Sequence, residues 1–212
     1  MRHVPGELAG HPDRLRWNAR YAASLPSPFA PHPLAAQALS LPLPRGPVAE
    51  LACGPSGGAL LAAAAGRRVT AVDVSDVALG QLAAEASRAG LGDLILLMQA
   101  DLATWRPPAS YALMLCTGYW DRGVFRAAAA AVAPGGVLAW EARTAGARAE
   151  WCLRPGEPAS LLPRGFAVLG QEDLTGEHAP RRRLLARKAA PVTATQCTPA
   201  IVVPGQCGSL NE

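Results

Sequence analysis

Short apolar runs alternate with stretches of helical spacing along most of the chain. The run over 48–52 reads as a buried strand, and the alanine-rich run from Ala59 to Ala65 that follows it has high helix propensity. The same pairing recurs. A strand over 69–74 leads into a helix over 76–89, with Val77, Leu79, Leu82, Ala83 and Ala86 on one face, Ser75 or Asp76 as N-cap and Gly90 as the stop. Further strands are predicted over 94–99, 111–117 and 137–142, with a helix over 121–133 opening at Asp121. A short helix is expected near Glu157 to Leu162. The last two strands, 166–169 and 182–187, are too close in sequence for a crossover and must return antiparallel. This order predicts an α/β fold: a Rossmann-like, seven-stranded, mostly parallel sheet with a terminal antiparallel hairpin.

The ends of the chain read differently. Residues 1–46 form a leader, expected to act as a lid, packed on the domain of residues 47–188. Within it, a helix from Asp13 to Ala23 would bury Leu15, Ala19 and Ala22. Pro26, Pro28, Pro31 and Pro33 then forbid regular structure, and a second short helix spans Leu34 to Leu41. Residues 189–212 have three prolines, little charge and no period, which predicts a disordered or loosely docked tail.

The chemistry is concentrated at the ends of the first two strands. Val48-Ala49-Glu50-Leu51-Ala52-Cys53-Gly54-Pro55-Ser56-Gly57-Gly58 is a strand that turns sharply, through glycine, into a helix. Such a turn offers backbone N–H groups and lets a ligand approach the main chain. The second strand ends in Asp73, a carboxylate able to accept from both hydroxyls of a ribose and expected to face the cleft. The pair predicts a nucleoside-containing cofactor. A dinucleotide site wants G-x-G-x-x-G, but Ser56 and Ala59 stand at the second and third glycine positions counted from Gly54. Glu50 suits a ligand with an ammonium group better than one with a pyrophosphate.

E-L-A-C-G-x-x-G followed by V-D-V resembles the first two motifs of class I S-adenosylmethionine (SAM) methyltransferases. Ser56 stands where that family usually has glycine, and Gly57 offers compensation by a one-residue shift. Three further segments narrow the resemblance to the thiopurine and tellurite-resistance type: Trp17-Asn18-Ala19-Arg20-Tyr21, Trp120-Asp121-Arg122-Gly123 and Leu153-Arg154-Pro155-Gly156-Glu157. The resemblance covers roughly residues 13–188. It implies SAM as cofactor. Trp17 and Arg20 would close over the methionine end, where a guanidinium can bind the free carboxylate in two places. Glu50, Cys53, Gly54 and Ser56 would form the methionine seat, and Asp73 with Val74 the ribose seat. Asp101 and Leu102 would meet the adenine, and Cys116 and Thr117, at the end of the fourth strand, would also bind the cofactor. Tyr119, Trp120 and Arg122 lie where an acceptor approaches. Each residue also has a plain alternative. Asp73 suits a helix N-terminus, Trp17 a core position, Cys53 a packing position and Arg122 a pairing with Asp121.

Composition removes several other classes. No apolar run approaches the ~18 residues of a membrane span. The four histidines and five cysteines have no metal-ligand spacing, so no metal is expected. The odd, scattered cysteines indicate reduced thiols and a cytoplasmic protein. Net charge is +4, and Arg181-Arg182-Arg183 is the one dense basic cluster. Without interleaved aromatics it reads as decoration of an edge strand, so no nucleic-acid partner is expected. No residue stands out as a general base, so no catalytic residue is assigned. The expected activity is methyl transfer to a small molecule bearing a thiol, selenium, tellurium or heteroaromatic nucleophile, by a monomer. The alternatives are a nicotinamide-dependent oxidoreductase and a methyltransferase-like SAM-binding protein without turnover.

Overall fold

The computed structural model describes residues 5–23, 29–146, 148–175 and 179–190. Most of the expected tail (191–212), together with Pro26 and Pro28 of the leader, lies outside them.

Seven strands form one sheet: β1 (Val48–Leu51), β2 (Val69–Asp73), β3 (Ile95–Gln99), β4 (Tyr111–Thr117), β5 (Val132–Arg143), β6 (Phe166–Leu174) and β7 (Arg181–Lys188). Their order is β3-β2-β1-β4-β5-β7-β6. The first five are parallel, and β7 runs antiparallel to both β5 and β6. The expected fold is therefore the observed one, with one correction. The arginine-rich strand β7 is interior, and β6 forms the edge.

Among the described residues five α-helices accompany the sheet: α1 (Pro12–Ala23), α2 (Pro33–Ser40), α3 (Gly57–Ala64), α4 (Asp76–Arg88) and α5 (Arg122–Ala131). Side chains alternate between faces along each strand. Val48, Ala71, Leu113, Leu115, Val137 and Ala139 pack with α2, α3 and α4 through Leu34, Ala35, Ala38, Ala59, Ala62, Ala63, Leu82 and Ala86. Leu51, Val72, Met114, Leu138 and Trp140 pack on the other face with α5 and an aromatic group of Trp120, Phe125 and Trp140. Ser75 caps α4 by accepting from Ala78 N–H, and Asp121 caps α5 by accepting from Val124 N–H. α5 stops at Ala131, short of the expected 133, because a residue that precedes proline, here Ala133, is driven out of helical conformation. The chain extends into β5 instead, five residues earlier than the expected start at 137.

α1 departs most from expectation. Its length is as read, but Leu15 is 53% exposed and Ala19 and Ala22 are exposed too. The half-buried face is Arg14, Trp17, Asn18 and Tyr21, spaced i, i+3, i+4, i+7. The helix rests on the polar first turn of α4 and not on an apolar layer, so the apolar stripe in the sequence pointed to the wrong side.

Candidate active site

Strand order reverses between β1 and β4, and ligands of open α/β sheets bind at that point, outside the carboxyl ends of the strands. The turn after β1 is built by two left-handed residues, Ala52 (φ 48) and Gly54 (φ 55). For alanine that conformation costs ~1–2 kcal/mol. Nothing in the sequence marked Ala52, since alanine gives no signal of left-handed backbone. Gly54 N–H donates to Asp73 Oδ2 (2.8 Å), and Ser75 N–H donates to Asp73 Oδ1 (2.8 Å). Asp73 is only 5% exposed. Burial raises its carboxyl, and the two N–H donors oppose the rise. Beyond any role toward a ligand, Asp73 ties the glycine turn to the start of α4.

Ser56 is buried and is the N-cap of α3, accepting from Ala59 N–H at 2.9 Å. Its hydroxyl donates to Glu50 Oε2 at 2.5 Å. Burial pushes the Glu50 carboxyl up to about 7, against the pull of the Ser56 bond. A Cβ on Gly58 would stand 3.0 Å from both Glu50 oxygens. Glu50 thus lies beneath the turn, with Ser56 and Gly58 against it. A Cβ on Gly57 would overlap Phe29 O and the main chain of Ala30, so the leader crosses the turn in backbone contact. The doublet Gly57-Gly58 serves close packing, and helix α3 begins directly at Gly57.

The leader spans the ligand end of the sheet. His11 Nε2 lies 3.7 Å from Asp101 Oδ2 beyond β3. Arg14 Nε and Asn18 Nδ2 donate to Asp76 Oδ1 at 2.7 and 2.8 Å, and Ser75 Oγ donates to Asn18 Oδ1 at 2.6 Å. Trp17 stacks on Tyr21, with 5.6 Å between ring centroids. The Tyr21 hydroxyl stands 2.8 Å from where a Cβ on Gly54 would be. Burial, with the Asp73 charge added, holds its phenol well above the usual range. Arg20 and Arg16 lie over the Trp17 ring at 5.4 and 5.3 Å, and Arg16 also reaches the Trp151 ring (4.9 Å) beyond β5.

At the β4 end, Thr117 and Tyr119 are half-buried. Trp140 Nε1 donates to Tyr119 O (2.9 Å) and Gly118 N–H to Glu141 O (2.8 Å), which fixes the path of the loop. Arg122 makes a two-pronged pair with Glu157, Nε to Oε1 at 2.7 Å and Nη2 to Oε2 at 2.8 Å. The Glu157 carboxyl is drawn below its ordinary value despite partial burial. The W-D-R-G and P-G-E segments are thus one unit, and the alternative pairing of Arg122 with Asp121 is replaced by this one.

Residues 48–136 match the family profile described as a methyltransferase domain. Over these residues the chain carries a methyltransferase domain. No curated protein matches its sequence. Among solved structures, this chain resembles one described as the conversion of a disulfide bond into a thioacetal group during echinomycin biosynthesis, at 18% identity and TM-score 0.60, over 83% of this chain and 91% of that one. It also resembles TehB from Haemophilus influenzae, at 15% identity and TM-score 0.64, over 74% of this chain and 62% of that one. The magnesium protoporphyrin IX methyltransferase ChlM from Synechocystis PCC 6803, with bound SAH, matches at 16% identity and TM-score 0.60, over 74% of this chain and 80% of that one. At these identities the likeness is one of fold.

The fold brings Trp17, Arg20, Cys53, Gly54, Ser56 and Asp73 to one end of the sheet, with Val74 half-buried beside them and Asp101 at the neighbouring strand end. Leu102 is buried in the core on the α5 side of the sheet. Cys116 and Trp120 are core residues. Cys116 is fully buried, with burial raising its thiol, and Trp120 is 4% exposed against Phe125 and Trp140. In this structure both side chains pack in the core, Cys116 on β4 and Trp120 in the aromatic group. Sequence reasoning missed His11, Asn18 and Ala52. It passed over Tyr21 as well, although that residue closes the W-x-x-R-Y pattern. A cavity of about 530 Å³ lies apart from these residues, lined by Pro5, Asp76, Leu79 and the β3 strand.

Proposed function

We propose that this protein methylates a small soluble molecule through a soft nucleophile: a thiol, selenium or tellurium, or a heteroaromatic nitrogen or sulfur. Its cofactor in this reading is SAM, which when bound would supply an electrophilic methyl group on a sulfonium to an acceptor that enters as a thiolate, selenolate or neutral heteroaromatic lone pair, with S-adenosylhomocysteine as the leaving group. The protein's task is to position the acceptor and exclude water. The residues present fit the cofactor. Gly54 gives close approach to the main chain, Asp73 keeps lone pairs for ribose hydroxyls, and Arg20 stands near the methionine end. The observation that carries the acceptor class is that the nearby acids are engaged. Asp73 holds Gly54 and Ser75, Asp101 holds Ala103 N–H, Asp121 holds Val124 N–H, and Glu157 holds Arg122. Such a site favours acceptors that need no strong base. The likeness to TehB, of the tellurite-resistance type, and to the sulfur chemistry of the echinomycin neighbour supports the same class. Among the described residues no helix is long and apolar enough to cross a membrane. We place the protein in the cytoplasm, as a monomer without a nucleic-acid partner.

Calorimetry with SAM and with NAD, followed by an acceptor screen with methyl-labelled SAM, tests this reading. SAM should bind and NAD should give no heat. Label should pass to thiols, selenides or heteroaromatics and not to alcohols. Transfer confined to alcohols or alkyl amines would overturn the acceptor class.

A further inference from the structure

We propose that Tyr21 is a plug: in the closed protein its phenol occupies the cofactor seat over Gly54, and SAM enters only after α1 lifts away. The inference rests on the SAM reading and concerns how the same site is gated.

The first observation is position. The Tyr21 hydroxyl lies 2.8 Å from the place of a Gly54 Cβ. A glycine turn exists so that a ligand can touch its main chain, and here a side chain of the same protein touches it. Its half-buried phenol lies near Asp73 and Cys53. Asp73 is sealed to 5% exposure with both oxygens already accepting from backbone N–H groups. A ribose cannot reach that carboxylate until something covering it withdraws.

The second observation is the way α1 is fastened. It has no fully buried residue, so little apolar area holds it down. Arg14 and Asn18 grip Asp76 and Ser75 at the first turn of α4, and Gln81 Nε2 donates to Tyr21 O (3.2 Å). Arg16 clasps Trp151 from the other side. These are polar or cation–π contacts that water can replace on opening. The next part of the leader is anchored in a different way. Leu34, Ala35 and Ala38 are fully buried, and His32 Nε2 lies 3.4 Å from the buried Glu141. The moving part is therefore α1, which lifts as a unit and carries Tyr21 with it.

When only the open fraction can bind, the apparent Kd is the intrinsic Kd divided by that fraction. Removing the plug should therefore tighten binding. The test uses the full chain and S-adenosylhomocysteine, the unreactive product cofactor, by calorimetry and stopped-flow fluorescence. In wild type the observed association rate should level off with ligand concentration, because opening precedes binding. Tyr21→Ala should abolish the plateau and tighten Kd on the order of tenfold, the gain expected if about a tenth of the wild type is open. Tyr21→Phe, which keeps the ring in place, should stay near wild type. Asn18→Ala loosens the fastening without touching the phenol and should also speed association, which provides a second reading if Tyr21→Ala folds poorly. Weaker binding by Tyr21→Ala would make Tyr21 a ligand contact and overturn the plug, and so would unchanged affinity. Failure of wild type and all variants to bind would instead bring down the SAM reading, and the plug with it. Binding by Tyr21→Ala alone would be the strongest support.

Discussion

Ser56 and Glu50 show how much can turn on one hydroxyl. In the sequence Ser56 is a missing glycine. In the fold it caps α3 and donates to a carboxylate that is 4% exposed. Ser56→Ala removes a cap, worth ~1 kcal/mol, and strips a buried acceptor of its donor, worth ~1–3 kcal/mol. Urea denaturation should show their sum, about 2–4 kcal/mol, and a loss below 1 kcal/mol would mean that water replaces the hydroxyl. Glu50 also has a pH signature. Its carboxyl is raised from 4.5 to about 7, so between these values the folded state binds more protons than the unfolded one. Stability from this group is therefore full below pH 4.5 and is lost as pH rises to about 7. Glu50→Gln should remove that decline, and denaturation curves at pH 5 and pH 8 for both proteins would show it. Neither residue's role could be read from composition or spacing, because both depend on which atoms the turn buries.

The leader is two elements with different attachments. α2 was read nearly to the residue, because Pro33 and the alanine-rich stretch leave few alternatives. α1 was read correctly in extent and wrongly in facing. Its partner is a capped helix start presenting Ser75 and Asp76, and periodicity detects apolar faces, not polar ones. Deletion of residues 1–24 should leave a cooperative thermal transition and a native circular dichroism spectrum, because every strand lies downstream. Deletion of residues 1–41 also removes Leu34, Ala35 and Ala38 from the core. Truncation of a single large core side chain costs about 2–5 kcal/mol, so the longer deletion should abolish the transition. Hydrogen exchange on the full chain should find α2 amides far slower than those of α1. Equal protection of the two helices would show that the leader behaves as one body.

Across the molecule, one buried carboxylate joins the parallel part of the sheet to its antiparallel end. Glu141 of β5 is 2% exposed, and it accepts from Arg183 Nε (3.1 Å) and Nη2 (3.0 Å) and from Arg181 Nη1 (3.2 Å) of β7. His32, the cap of α2, lies against the same carboxylate. The basic cluster that sequence placed on an edge therefore meets an acid in the interior, and Arg182 pairs outward with Asp173 on β6. Burial alone would raise the Glu141 carboxyl, but His32, Arg183 and Arg181 together draw it to about 2. With the folded value below the ordinary 4.5, its contribution is present above pH 4.5 and lost as pH falls toward 2. Glu141→Gln should be markedly less stable than wild type at pH 7, and the gap should narrow at pH 3. Denaturation at both values tests this, and a gap independent of pH would mean that packing, not charge, sets the loss.

Local pattern alone determined the elements, their order and the turn after β1. Apolar runs, prolines and caps act over a few residues, and the E-L-A-C-G segment carries its own geometry. It also determined that Asp73 ends its strand and that Asp101 stands just beyond another, since topology puts every such residue on the ligand side of the sheet. Only the tertiary structure decided which of these groups are free. Asp73 is engaged by the turn, Arg122 by Glu157, and Cys116 and Trp120 by the core. Only it placed Tyr21 over Gly54 and put β7 inside the sheet. Pairings between residues tens of positions apart leave no periodic trace in the chain, because they follow from where the sheet carries each side chain.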